Sequence, residues 1–210
     1  MGAGRGRRSA LTLLEFLSRP AVQVAPELLG ATLRVVSLEG AVGVRLTEVE
    51  AYEGIEDPAS HAGRGPTPRS ALMFGPPGVV YVYFSYGMHW CANVVCRPEG
   101  RAGAVLLRAG EVVEGRELAR TRRPAARSTR ELARGPARLT SALGLTGLDN
   151  GADLLDPAGR VHLRRDPSPG AVCSGPRVGI SLATDRPWRF WVEGAPSVSA
   201  FRRGVRRARA

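Results

Sequence analysis

Apolar and polar positions change their period several times along the chain, and each change marks an element. Leu11 to Leu17 reads as a short amphipathic helix. Pro26-Glu27-Leu28-Leu29-Gly30 reads as a second, with proline near its start and glycine at its end. Thr32 to Val36 and Ala41 to Tyr52 read as strands around a Glu39-Gly40 turn. Residues 53–78 hold many Gly and Pro and few apolar runs, which predicts a long loop. In a compact domain such a loop is usually functional or disordered. Val79 to Phe84 and Met88 to Val95 read as strands around a tight turn, and Ala104 to Arg108, nearly all apolar, as a central strand. Helical stretches follow near Glu114 to Thr121 and from Gly135-Pro136 to Leu143, the second stopped by Gly144. Residues 146–175 read as loop-rich, and Val178 to Leu182 and Arg189 to Val192 as strands that close the sheet. No repeat and no linker interrupts this order, so the pattern predicts a mixed α+β class in one domain. The Arg/Gly/Ala-rich ends, residues 1–8 and 202–210, read as basic, flexible tails.

Composition narrows the partners. The 210 residues are 43% hydrophobic, and 30 basic residues stand against 19 acidic ones, a net +11. All 30 are arginine, because the chain contains no lysine. A G+C-rich genome accounts for that bias, but the balance itself implies a polyanionic partner, a solvated tail, or both. Cys91, Cys96 and Cys173 show no C-x-x-C spacing, and His61, His89 and His162 are scattered. Neither a metal site nor a disulfide framework is expected, which suits a reducing cytoplasm. The arginines at 5, 7 and 8 before an apolar stretch give a superficial signal-peptide look. Glu15 interrupts that stretch and Arg19-Pro20 follows it, so the cytoplasm remains the expected location. No segment approaches the roughly 20 apolar residues of a membrane span.

Three stretches carry chemistry. Glu48, Glu50 and Tyr52 share one face of a strand that ends at the long loop. Such a strand end suits either a pocket for a flat substrate or an ordinary exposed acidic edge. In Tyr81-Val82-Tyr83-Phe84-Ser85-Tyr86-Gly87, glycine supplies the positive φ of a hairpin turn and leaves Tyr86 at the tip. An aromatic there either folds back on the sheet or acts as a wedge of the kind that proteins insert between base steps. Tyr81 is expected in the core. Arg108 ends an apolar strand and needs a carboxylate if buried, either in a structural ion pair or, with Glu50, in a polar pocket floor.

These blocks resemble the alkyladenine (methyladenine) DNA glycosylase family. The resemblance runs through Arg45-Leu46-Thr47-Glu48-Val49-Glu50-Ala51-Tyr52, Asp57, Ser60-His61, Thr67-Pro68-Arg69, Tyr81-Val82-Tyr83 and Tyr86-Gly87-Met88. It continues through Asn93, Leu106-Leu107-Arg108-Ala109, Gly135-Pro136, Arg177-Val178-Gly179 and the run from Phe190 to Ser199. It implies one domain over residues 9–201, with a curved, mainly antiparallel sheet, surrounding helices and a protruding hairpin that inserts into DNA. Its implied activity is hydrolysis of the bond between a flipped, alkylated or deaminated purine and its sugar, without a cofactor. Glu50 falls at the general base, and Arg108 and the carbonyl of Val178 at groups that help to hold the attacking water. Tyr52, His61 and Tyr83 match the groups that sandwich and hydrogen-bond the base, and Asn93 the residue that crowds the amine of normal guanine. Tyr86 matches the side chain that fills the hole in the helix. The implied partner is double-stranded DNA, met by a monomer with no membrane association. The sequence departs from the pattern at His89-Trp90 and by two extra residues near Arg97-Pro98-Glu99, which leaves the hairpin's fine contacts open.

Arg116, Arg120, Arg122, Arg123, Arg127 and Arg130 cluster after the central strand, and Arg202, Arg203 and the arginines at 206, 207 and 209 crowd the tail. They read either as phosphate contacts or as a solvated face. A nucleic-acid binder without catalysis is the competing class, since the family fold resembles a domain of methionyl-tRNA formyltransferases. The carboxylate at Glu50 separates the two, because a pure binder has no use for it.

Overall fold

A computed structural model of the chain describes residues 12–85, 87–166 and 170–204. Tyr86, Leu11, residues 1–8 and residues 205–210 lie outside the described residues. The class is α+β, and every strand pairing is antiparallel. The strands are β1 (Thr32–Ser37), β2 (Gly40–Tyr52), β3 (Val80–Ser85), β4 (His89–Val95), β5 (Ala104–Glu114), β6 (Val161–Arg164), β7 (Val172–Gly175) and β8 (Arg189–Val192). They run in the order β3-β4-β5-β2-β1-β6, with β8 joining β2 and β7 joining β8.

The long strand β2 organises the site because it changes partner partway along. Its first half pairs with β1, and Glu48 to Glu50 pair with β8, while β5 runs along its other edge. The register against β5 shifts around Glu48, where β2 passes from one neighbour to the other. Bulges of this kind re-aim side chains and recur beside active sites.

Among the described residues four helices accompany the sheet: α1 (Leu13–Leu17), α2 (Ala21–Leu28), α3 (Arg116–Arg122) and α4 (Pro136–Leu143). Thr12 and Glu15 close a capping box on α1, so the glutamate that breaks the apolar stretch also starts the helix. The second helix begins earlier than expected, at Ala21, and carries Pro26 inside it. Ala21, Val24, Ala25 and Leu28 form its buried face, and their burial outweighs the hydrogen bond that proline cannot make. Gly115 starts α3 at φ +67, where a Cβ would lie 2.0 Å from the Ala41 carbonyl, so only glycine fits. The fourth helix ends at Gly144 in the left-handed region, as its sequence predicts.

Three further expectations change. The central strand β5 runs on to Glu114 rather than stopping at Arg108. Residues 146–175 include two four-residue strands, β6 and β7; each is too short to show a clear alternation. Conversely, Val178 to Leu182 is not a strand. Gly179 adopts φ +74 there, and the N–H groups of Val178 and Gly179 bond to Glu50 and Arg202 instead of to a ladder. The apolar run covers a cavity, which is why it reads like sheet.

Candidate active site

A cavity of about 780 Å³ opens between β3, β4 and β5 on one side and the loops 58–73 and 178–182 on the other. Tyr52, His61, Arg69, Tyr83, Asn93 and Arg108 are among its walls. Glu50 lies beneath these walls, fully buried. Its Oε1 accepts the Val178 N–H at 2.6 Å, and its Oε2 accepts the Tyr52 hydroxyl at 2.9 Å. Arg108 Nη1 stands 3.2 Å from the same Oε2. Two donors therefore meet Oε2 and one meets Oε1, which keeps a lone pair for a further donor.

Strand parity brings Glu48 to the same floor, but with other partners. Its Oε1 accepts Arg108 Nε and Arg189 Nε, each at 2.8 Å, and the Ser199 hydroxyl at 2.9 Å. Its Oε2 accepts the Ser199 N–H at 2.7 Å. Burial alone would raise the Glu48 carboxyl, but Arg108, the Ser199 amide and Arg189 outweigh it and hold it below its ordinary value. Arg108 thus bridges the two carboxylates. Desolvation works against its charge, and Glu50 and Glu48 overcome that and keep it a firm cation. Of the alternatives that the sequence leaves open for Arg108, the structure contains both, an ion pair to Glu48 and a contact to Glu50.

The walls are aromatic. Burial, followed by the neighbouring Glu50 carboxylate, pushes the Tyr52 hydroxyl well above its ordinary range, so it stays a donor. Burial likewise raises Tyr83, ahead of the effect of Cys91. The His61 ring meets the Tyr83 ring edge-on at 4.6 Å, and its Nδ1 is 3.0 Å from the Tyr81 hydroxyl. His61 is exposed at the cavity mouth, yet the surrounding protein and then the Arg69 guanidinium lower its pKa to about 4. At neutral pH it is an uncharged ring. Asn93 is buried, and its amide nitrogen donates to the Tyr81 carbonyl at 3.0 Å, which aims the side chain along the cavity wall. Tyr81 itself is buried, as expected.

Arg108, Val178, Tyr52, His61, Tyr83 and Asn93 therefore line one cavity, and Glu50 lies behind its wall, bonded to Tyr52, Arg108 and Val178, whereas Tyr86 lies outside the described residues. The hairpin of β3 and β4 that would carry it pairs Ser85 with His89, and Gly87 has φ +67. Val178 meets Glu50 through its N–H rather than through its carbonyl.

The roles of two arginines escaped the sequence reading. Arg177, fully buried, donates to both oxygens of Asp57 and to the Ala51 carbonyl, and lies 4.6 Å over the Tyr52 ring. It anchors the covering loop at its start. The adjoining glycine of Arg177-Val178-Gly179 was its one sequence signal. Arg122 is a structural brace, bonded to Glu39, Ser37 and the Leu143 carbonyl. Among the described residues, no three His, Cys, Asp or Glu side chains come together as a metal site, and no helix is long and apolar enough to cross a membrane.

The sequence profile of the methylpurine-DNA glycosylase family matches residues 15–196. A protein of Nocardia farcinica is 56% identical over 189 residues, covering 87% of each chain. One of Streptomyces avermitilis is 53% identical over 199 residues, covering 93% of each. One of Leifsonia xyli is 54% identical over 192 residues, covering 87% of this chain and 88% of its own. All three carry the provisional name 3-methyladenine DNA glycosylase.

Proposed function

The chain belongs to the methylpurine-DNA glycosylase family, and on that premise we propose that it removes damaged purines from duplex DNA by hydrolysis. The substrate class is the alkylated or deaminated purine: 3-methyladenine, 7-methylguanine, hypoxanthine and ethenoadenine. The observation that carries this reading is Glu50, a buried carboxylate oriented by the Val178 N–H, Tyr52 and Arg108 directly under an aromatic-walled cavity.

The damaged nucleotide turns out of the helix, and its base enters between Tyr52, His61 and Tyr83. Stacking on an aromatic contributes ~1–3 kcal/mol per base and offsets the few kcal/mol of unstacking. Damaged pairs open more readily, which adds selectivity before any bond breaks. Asn93 crowds an exocyclic amine at the place where normal guanine carries one, and Tyr86 fills the vacated stack. A water donates to the remaining lone pair of Glu50 Oε1, with Arg108 and the Val178 carbonyl as its other neighbours. As the bond between sugar C1′ and the base nitrogen breaks, its electron pair leaves with the base and positive charge develops on the sugar. The Glu50 carboxylate stabilises that charge. The water oxygen bonds to C1′ and its proton passes to Glu50. The product is an abasic site in an intact strand. With no lysine, the chain offers no side-chain amine for the Schiff base of a bifunctional enzyme. The working form is a cytosolic monomer in which residues 9–201 make up the catalytic domain.

A single-turnover assay on duplex DNA with one hypoxanthine tests this reading. The expected result is release of the base, a strand that breaks only on heating with alkali, and no adduct trapped by borohydride. Tight binding without release would favour the non-catalytic binder, and a trapped adduct would replace water with an amine as the nucleophile.

A further inference from the structure

The segment after β8 has no regular secondary structure from residue 198 to 204, yet it touches both halves of the catalytic floor. Ser197 Oγ lies 2.8 Å from Thr47 Oγ1 in a buried contact, and Arg134 Nε donates to the Val198 carbonyl at 2.8 Å. Ser199 holds Glu48 through its amide and hydroxyl, and its carbonyl accepts Arg189 Nη2 at 2.8 Å. Three residues later the Arg202 carbonyl accepts the Gly179 N–H at 2.9 Å. Gly204 then presses on the same loop: a Cβ there would lie 2.2 Å from the Ile180 carbonyl oxygen and 2.7 Å from the Gly179 carbonyl carbon.

Gly179 follows Val178, whose N–H orients Glu50. The covering loop has no ladder bonds of its own at these positions, so Arg177 fixes it on one side and the strap at 202–204 on the other. Holding a glutamate side chain still costs rotamer entropy, and a mobile Val178 would release it. We propose that residues 199–204 are a positioning strap for catalysis, acting through their main chain. Ser199 sets Glu48 and thereby Arg108, and the contacts of Arg202 and Gly204 with Gly179 and Ile180 keep the Val178 N–H on Glu50. This inference rests on Glu50 as the base. The Arg202 and Arg203 side chains are exposed and form no ion pair among the described residues, so they can be varied without disturbing the strap.

The test separates main chain from side chain. Gly204→Ala, and a chain truncated after Ala200, should each lower the single-turnover excision rate on hypoxanthine duplex at saturating enzyme by tenfold or more. Displacement of a reacting group by about 1 Å costs on the order of 10²-fold. Arg202→Ala with Arg203→Ala keeps the Arg202 carbonyl, and should leave that rate within about twofold whatever it does to affinity or salt dependence. If Gly204→Ala and the truncation change affinity alone, the segment is a DNA-contacting tail and the proposal is wrong. It is equally wrong if the double alanine loses as much rate as the truncation. Should the truncated chain fail to fold, Gly204→Ala decides, with thermal denaturation as the control; unfolding of that variant would assign the strap to stability instead. Glu50→Gln measured alongside distinguishes the two levels. An active Glu50→Gln sinks the base assignment, whereas an inactive one with unaffected strap variants sinks only the strap.

Discussion

On the cavity floor, Glu48, Glu50 and Arg108 stand on the paired strands β2 and β5, buried and tied to one another by ion pairs. The rim is different. Pro58, His61, Arg69 and the residues from Gly179 to Leu182 stand on segments outside any strand, and most of them are exposed. Floor groups keep their geometry because sheet and charge pairing leave them one arrangement, which suits a group that must meet a single reacting atom. Rim groups are held at a few points, which suits admitting a base turned out of a helix. Arg177 is where the two regimes join, since it ties the covering loop to Asp57 and to the end of β2.

Breaking that joint is expected to have the largest effect on stability. Arg177→Ala leaves the buried Asp57 with only the more distant Arg186, 4.0 Å away, as a cation, and removal of one member of a buried pair costs about 3–5 kcal/mol. The shift of the urea midpoint at constant slope measures it. A loss below about 1 kcal/mol, the range of surface pairs, would mean that the rim does not depend on this anchor.

Tyr86→Ser sharpens the contrast from the rim side with a smaller effect. It should weaken binding of lesion duplex by about 1–3 kcal/mol, the worth of one stacked aromatic, and leave excision from single strands nearly unchanged. Equal losses on both substrates would move Tyr86 from the helix plug to the pocket or the fold.

The smallest effect concerns His61. Its folded pKa of about 4 lies below the ordinary 6.5, so between those values the unfolded chain binds more protons. His61 therefore contributes stability above the ordinary value that is lost as pH falls through this window. For excision, the ring stays neutral over roughly pH 5.5–8. His61→Asn should change the height of the pH–rate profile there and not its shape. Disappearance of an inflexion near neutrality would show that His61 titrates during the reaction.

What was legible in the sequence follows the same division. The parity of Glu48, Glu50 and Tyr52 needs only the two-residue period of a strand, and Arg108 stands out as a charge closing an apolar run. The partner of Arg108 was ambiguous because the register shift around Glu48 has no sequence signature. Val178 to Leu182 read as sheet because its residues are apolar, although what they cover is a cavity. Ser199 and Arg177 sit in irregular segments, where no periodicity tells a buried polar side chain from a solvated one. The edge strands β6 and β7 are four residues each, too short for a pattern to emerge.

Glu50→Gln, assayed for both binding and single-turnover excision on the same hypoxanthine duplex, addresses the base assignment most directly. The amide nearly preserves the size of the side chain, so affinity for lesion duplex should stay close to that of the parent. Loss of a general base costs ~10²–10⁴-fold, and loss of the negative charge facing the sugar adds to it, so excision should almost vanish. Excision within tenfold of the parent, with binding intact, would contradict Glu50 as the group that activates the water.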